Sequence, residues 1–438
     1  MRLKIFTIIQ LVLSLGLASG QENPVPLDFH RALELVYAND YVLKAKSDDI
    51  IVSEYRVKEA ISEYYPKLAV YSNVTKTSLD SEIELPNLFG PVIDPIRLFP
   101  QERYNFGIIA RYELYTFGRR SAANSIARMG LEISKLENRE YKNALYDKTA
   151  RAFSAAITAR NILAIQRQNI KRAEEKLRII EDRLSQGLAA EYDRLAAKIL
   201  ISKYRERENR AGAEFQKAKI KLKSLTDWKY PYEFMPSGEL SGLPAALPES
   251  TLALPDSAMT IKMMKLGRDI KNREKDIRKS VYFPEIGVFS KYDWQNGYQP
   301  DIDKIRGDWS VGFSLEWLIL DGGLRKSRLR RLEFEAKKSD ILLAGARSNL
   351  VFAAESAVIE IEKSSRDLAL ARERLELADR GIRIAQSRYN LGLLGISDLI
   401  DMDLDKSEAE IAVATADHEL LMARLEYKKA LDFYPETE

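Results

Sequence analysis

The residues that invite a chemical reading lie near the C-terminal end of the chain, between Tyr389 and Asp405. Asp398 follows Gly392 by six residues, and Asp401 follows Asp398 by three. A spacing of three puts both carboxylates on one face of a helix, about one turn apart. Under rotational symmetry each would become a ring, and crowded carboxylates repel until a cation relieves them. Asp398 would equally serve to cap the helix that follows Gly395, with Asp401 as an exposed first-turn acid. Asp403 and Asp405 fit this face less well and are expected to be solvated. The run Asp401-x-Asp403-x-Asp405 opens like a calcium loop. Lys406 stands where such a loop needs Gly, and Ala412 where it needs Glu, so no metal site is expected.

Other chemistry is sparse. His30 and His418 are the only histidines, and they fall on separate helical stretches. Neither has the partners of a general base. There is no phosphate-binding glycine loop and no nucleophile elbow. No catalytic residue and no cofactor are expected, and the chain does not read as an enzyme. With 68 Lys and Arg against 65 Asp and Glu, the net charge of +3 does not make a nucleic-acid surface. The absence of cysteine excludes disulfides, Cys-ligated metals and a lipid-bearing N-terminal Cys.

The elements that would position Asp398 and Asp401 come in two copies. Arg388 to Asp398 reads R-Y-N-L-G-L-L-G-I-S-D, and Arg183 to Asp193 reads R-L-S-Q-G-L-A-A-E-Y-D, at an offset of 205. Each reads as the tip of a helical hairpin, with Gly187 or Gly392 supplying the backbone freedom of the turn. Long proline-free helical patterns lead into both tips, from Arg119 and from just after Gly323. At 1.5 Å per residue each is on the order of 100 Å long. Ala354, Ile361, Leu368, Leu375, Ile382 and Tyr389 recur every seven residues, and subtracting 205 gives Ala156, Leu163, Ile170, Leu177 and Leu184. That period predicts left-handed supercoiling.

Upstream of each long helix the period changes to two. Tyr104, Phe106, Ile108, Ala110, Tyr112 and Leu114 share one face, as do Trp309, Val311, Phe313, Leu315, Trp317 and Ile319. Apolar residues facing lipid and polar ones facing a lumen give this alternation in a membrane β-strand, and so does a half-buried soluble strand. Y-Y-P-K-L-A-V-Y-S at 64–72 matches Y-F-P-E-I-G-V-F-S at 282–290, at an offset of 218. The organisation read from these patterns begins with a signal peptide at 1–20, carrying Arg2, Lys4, an apolar run and Ala18-Ser19-Gly20. A first repeat covers 21–227 with a β-hairpin at 65–117, whose long loop lies within 78–103. An irregular linker, rich in Pro and Gly, covers 228–256. A second repeat covers 257–438 with a β-hairpin at 283–320. Asp28 to Tyr64 reads as one helix capped by Asp28, and no segment after the leader is expected to approach the length of an apolar membrane helix. Four strands cannot close a barrel alone, and an open edge cannot sit in lipid, so assembly is required.

The duplicated order, together with L-Y-T-F-G-R-R at 114–120, L-D-G-G at 320–323 and the two tips, resembles the outer-membrane efflux protein family, of which TolC is the type member. The resemblance covers nearly the whole chain after the leader. It implies a fold that is mainly α with a membrane β-barrel: a homotrimer whose 12-stranded barrel continues into a long α-helical coiled-coil barrel. It implies a place in the outer membrane, extending into the periplasm. It implies a passive exit duct for efflux or type I secretion. The expected partners are a periplasmic adaptor (membrane fusion) protein, an inner-membrane pump of the RND, ABC or MFS type, and outer-membrane lipid, with no nucleic acid. Tips built from Gly187, Leu188, Ala189, Gly392, Leu393 and Leu394 would dock the adaptor. For the glycines, closing the turn is an equally good account. Tyr389 and Asp193 match a link that holds the family's channels closed, and Asp398 and Asp401 match the acidic rings of its constriction. A second closing link of the type member falls on Tyr192 and Leu394, which cannot form it in the same way. The competing class is a periplasmic coiled-coil structural or adaptor protein without a pore, which explains the seams but leaves the strand alternation without a purpose.

Overall fold

The structure, a computed structural model, describes residues 25–78, 82–83, 96–229, 234–238, 256 and 258–431. The leader at 1–20, most of the linker at 228–256, much of the loop at 78–103 and the tail past 431 lie outside the described residues. In chain order the elements are β1 (Val25–Leu27), α1 (Phe29–Asn39), α2 (Tyr41–Ser62), β2 (Lys67–Lys76), β3 (Glu82–Ile83), β4 (Ile96–Arg97), β5 (Glu102–Tyr115), α3 (Arg119–Ser185) and α4 (Glu191–Thr226). They continue with β6 (Phe234–Pro236), α5 (Met259–Ser280), β7 (Glu285–Gln295), β8 (Arg306–Glu316), α6 (Leu324–Asn390) and α7 (Ile396–Ala430). The chain divides into two compact units, one of residues 1–44, 140–254 and 350–438 and one of 45–139 and 255–349.

The second unit holds a four-stranded antiparallel sheet in the order β2-β5-β7-β8, so the two hairpins of the duplication join into one sheet. Its register places the period-two residues together. Leu68 and Val70 pair with Ala110 and Ile108, Ile108 with Tyr292, and Tyr292 with Trp309. One face therefore carries a continuous apolar surface on which Val70, Val311 and Phe313 are exposed. Lys67, Arg111, Lys291, Ser310 and Ser314 alternate with it on the other face. Among the described residues β2 and β8 each pair with one strand, so both edges of the sheet are open. β8 stops at Glu316, short of the expected end at 320, because its last partner is Glu285, the first residue of β7. Pro284 precedes that residue and has no N–H to extend the ladder. Beyond it, the Trp317 indole N–H donates to the Tyr282 carbonyl at 3.1 Å.

In the first unit the seams pack as their period predicts. Ala152, Ala156, Leu163, Ala173 and Ile180 of α3 are buried, as are Ala354, Ile361, Leu368, Ile382 and Ala385 of α6. A separate core gathers Leu27, Phe29, Leu33, Tyr146, Phe153, Leu222, Phe234 and Leu425. The rings of Tyr146 and Phe153 both meet Phe29 edge-on. β1 and β6 close over it as a two-stranded parallel pair. β6 lies inside the stretch expected to be irregular; three residues are too few to show a period.

Two expectations are corrected. The helix expected over 28–64 is broken at Asp40, whose backbone is extended. Asp28 caps α1 by accepting the Arg31 N–H at 2.7 Å, and Asp40 repeats this for α2 by accepting the Leu43 N–H at 2.7 Å. The second concerns α6, which contains a stretch long and apolar enough for a membrane span by length and composition. Only 17% of that stretch is buried. Its hydropathy comes from exposed residues such as Phe352 and Ile359, which add a second apolar face to the seam.

Candidate functional site

Both hairpin tips are built by the same turn. At the end of α3 the Leu188 N–H donates to the Arg183 carbonyl at 2.8 Å and the Gly187 N–H to the Leu184 carbonyl at 3.0 Å. At the end of α6 the Leu393 N–H donates to the Arg388 carbonyl at 2.9 Å and the Gly392 N–H to the Tyr389 carbonyl at 3.0 Å. This paired bonding ends a helix on a residue in the left-handed region. Gly187 and Gly392 occupy it, with φ of 73° and 72°. A side chain at either position would be strained.

The six tip residues divide in two. Leu188 and Leu393 are 71% and 72% exposed. Ala189 and Leu394 instead pack against a core of Ile180, Ala197, Ile382, Ala385, Ile396 and Leu399. The exposed leucines are free to meet another molecule, whereas Ala189 and Leu394 close the tip.

Asp398 lies in the first turn of α7, exposed, and Asp401 is exposed one turn on. The pair is not repeated in the first half, where Asp193 stands at the position of Asp398 but Ala196 at that of Asp401. There Asp193 accepts the Ala190 N–H at 3.2 Å and caps α4. Asp398 carries no such bond at Gly395, so its carboxylate stays available to solvent and ions.

Tyr389 and Asp193 come close without a hydrogen bond between them. Burial pushes the Tyr389 phenol up, the Asp193 charge adds to this, and Arg183 opposes it. The Arg183 guanidinium lies over the Tyr389 ring, 5.6 Å from its centre, and donates to the Asn390 side-chain oxygen at 3.0 Å. At the position of the second closing link, the Tyr192 and Ser397 hydroxyls approach to 3.3 Å, while Leu394 is turned into the core.

Asp403 overturns its expectation of solvation. It is 3% exposed, bonded to Lys176 of α3 and, at 2.8 Å, to the Tyr204 hydroxyl of α4. Burial, reinforced by the Asp403 charge, pushes the Tyr204 phenol up. Asp405, by contrast, is exposed. The signal for Asp403 was in the sequence: Ile396, Leu399 and Asp403 are spaced three and four apart, which places the aspartate on the buried seam. Among the described residues no cluster of His, Cys, Asp and Glu is arranged to hold a metal.

Comparison with known proteins agrees with this architecture. The sequence profile described as outer membrane efflux protein matches residues 33–226 and 256–432. The chain belongs to the outer membrane efflux protein family, and it is an outer-membrane protein. The curated relative OpmQ of Pseudomonas aeruginosa, a pyoverdine export outer membrane protein, is 23% identical over 338 residues, covering 74% of this chain and 68% of OpmQ. Among solved structures, CusC superposes with a TM-score of 0.76 at 15% identity, covering 95% of each chain. VceC of Vibrio cholerae superposes with a TM-score of 0.72 at 14% identity, covering 92% of this chain and 95% of VceC. At these identities the structures support the fold: a mainly helical, internally duplicated chain with a membrane sheet. The family is one of outer-membrane channels, not of enzymes.

Proposed function

We propose that the protein is the outer-membrane exit duct of a tripartite efflux or type I secretion system, conducting substrates passively when docked to a periplasmic adaptor and an inner-membrane pump. The observation that carries this reading is the four-stranded sheet with one continuous apolar face and two open edges. Lipid accepts the face but not the edges, so β8 of one copy must pair with β2 of the next. The helices support the same arrangement. α6 exposes Leu370, Leu377 and Ile384 every seven residues, with Leu391 just past its end in the same spacing, and α4 exposes Leu195 and Ile199. Two different apolar stripes on one chain make a head-to-tail contact, which closes into a ring when the rotation permits. Three copies give a barrel of twelve strands that continues into a helical tunnel. Residues 21–227 and 257–438 are then the two halves of one protomer, joined at 228–256. Asp398 and Asp401 form the constriction, and the tips meet the adaptor.

The tips provide the test. Leu188→Glu or Leu393→Glu puts a charge where an apolar helix contact is required, while the turn itself is kept. Export by cells carrying either variant should be lost, with the amount of protein in the outer membrane unchanged. Full export in both variants would place docking elsewhere and remove the tips from the mechanism.

The closing contacts make a graded prediction. The Tyr389 ring survives in Tyr389→Phe and keeps its contact with Arg183, whereas Arg183→Ala removes that contact. An exposed contact of this kind contributes about 0.5–1 kcal/mol. Resting conductance in a planar bilayer should rise roughly two- to fivefold in Arg183→Ala and stay near the wild-type value in Tyr389→Phe, whose lost hydroxyl makes no hydrogen bond to Asp193. Equal conductance in wild type and both variants would exclude the pair from the gate.

A further inference from the structure

A layer of buried polar side chains ties α7 to the first hairpin, and the internal repeat does not reproduce it. Asp403 takes its bonds from Lys176 of α3 and Tyr204 of α4. One turn further along α7, Ser407 accepts the Asn169 amide at 2.7 Å. Glu410 accepts a two-pronged bond from the Arg172 guanidinium at 3.0 and 2.9 Å. The layer lies between apolar clusters, with Leu200, Ile201 and Ala173 in one and Ala416 and Leu420 in another.

The offset of 205 maps α3 onto α6 and α4 onto α7 with identical starting points. Carried across it, Asp403 becomes Lys198 and Glu410 becomes Arg205, while Lys176 becomes Gly381 and Arg172 becomes Leu377. The bonds are therefore possible once per chain, not twice. The substitutions also carry a sign. If a helix of the α4 type took the place of α7 against α3, Lys198 would face Lys176 and Arg205 would face Arg172. Two attractive contacts would become two repulsive ones, in a setting where uncompensated charge is strongly disfavoured. The apolar seams discriminate much less, since both hairpins fill them with Ala, Leu and Ile.

We propose that this layer is a pairing key, which seats α7 on α3 of its own chain and rejects the first hairpin of another copy from that place. Unlike hairpins then alternate around the assembly. The proposal rests on the ring of copies described above. It supplies both halves of specificity, attraction for the right partner and repulsion of the wrong one. A polar residue in an apolar helix seam sets register and partner in the same manner.

The chain has no cysteine, so introduced thiols report without background. Two full-length copies with different tags are co-expressed, one carrying Asn169→Cys and the other Ser202→Cys. Ser202 is the counterpart of Ser407 at the same offset. A disulfide joining the two tags marks a first hairpin in the place of a second. With the rest of the layer intact this cross-link should be absent, and Asn169→Cys with Ser407→Cys should close within one chain. Adding Lys176→Met, Asp403→Leu and Tyr204→Phe replaces the bonds by apolar contact. The trimer should keep its heat resistance, while the wrong cross-link rises at least roughly tenfold above background. Arg172→Glu with Lys176→Glu should raise it further, because those carboxylates attract Arg205 and Lys198. An intact trimer without wrong cross-links in either set overturns the key alone. Collapse of the apolar variant also overturns it, since the layer would then be needed for stability and not for choice. A monomer by native mass measurement of the unsubstituted protein in detergent overturns the ring and the key together.

Discussion

A channel carrying Asp398→Asn and Asp401→Asn together should lose its preference for cations and its block by a trivalent cation added from the periplasmic side. Both carboxylates are exposed on the first turns of α7, and neither is used to cap the helix. Threefold symmetry would stack them as two rings one helical turn apart. Carboxylates gathered on an axis repel, and a multivalent cation relieves several repulsions at once. If each ring contributes about 1.4 kcal/mol to the bound ion, losing both weakens block roughly a hundredfold. Asp405→Asn gauges the reach of the effect. Seven residues after Asp398, it lies on the same face two turns along, and it removes one carboxylate per chain where the double variant removes two, so block should weaken by less. Single-channel currents in a planar bilayer measure all three proteins. Persistence of block and selectivity in the double variant would show that the constriction is made by other residues.

The second large effect is expected in the membrane sheet. Gly107→Ala should prevent the protein from reaching a heat-resistant assembled form. Tyr71, Gly107 and Asp293 lie in one row across β2, β5 and β7. The missing side chain at Gly107 lets the Tyr71 hydroxyl reach over the middle strand to the Asp293 carboxylate. Asp293 is 3% exposed and also pairs with Lys291 at 2.6 Å. A β-carbon at position 107 would lie 2.6 Å from that carboxylate and 2.6 Å from the Tyr292 carbonyl. The carbonyl belongs to the ladder and cannot give way without opening it. Displacing a buried carboxylate from its partners costs about 3–5 kcal/mol. Tyr71→Phe loses the hydroxyl but leaves the ladder untouched, so it should assemble with a lower melting temperature. Mobility of unheated samples on a denaturing gel separates these outcomes. Normal assembly of Gly107→Ala would mean that the strands tolerate a shift the present register forbids.

The parts legible in the sequence were those with a sustained period. Seven-residue spacing located the buried seams of α3 and α6, and alternation at Tyr104–Leu114 and Trp309–Leu315 located the apolar face of the sheet. The offset of 205 placed both tips. Short or singular features were harder to read. Asp40 breaks the first helix through one side chain bonding one N–H, which no period announces. β1 and β6 are three residues each and far apart in the chain. Asp403 was misread because its charge outweighed its position: Ile396, Leu399 and Asp403 follow the helical spacing of buried residues, and the compensating Lys176 and Tyr204 come from two other helices. The contacts expected to hold the channel closed were legible as positions but not as bonds. Tyr192 finds Ser397, and Tyr389 lies beneath Arg183 instead of bonding Asp193.

The open edges of the sheet also bear on how the protein is made. Until another copy arrives, β2 and β8 display unpaired backbone groups beside a broad apolar face, a combination that templates aggregation. No rearrangement within one chain can hide them. If the sheet closes by pairing between copies, its completion waits for an encounter between them, and its rate should climb more steeply than in proportion to their concentration. Biogenesis becomes a race between productive encounter and clumping. Slow synthesis would starve the encounter and excess synthesis would favour clumping, so the yield of finished protein should peak at an intermediate expression level.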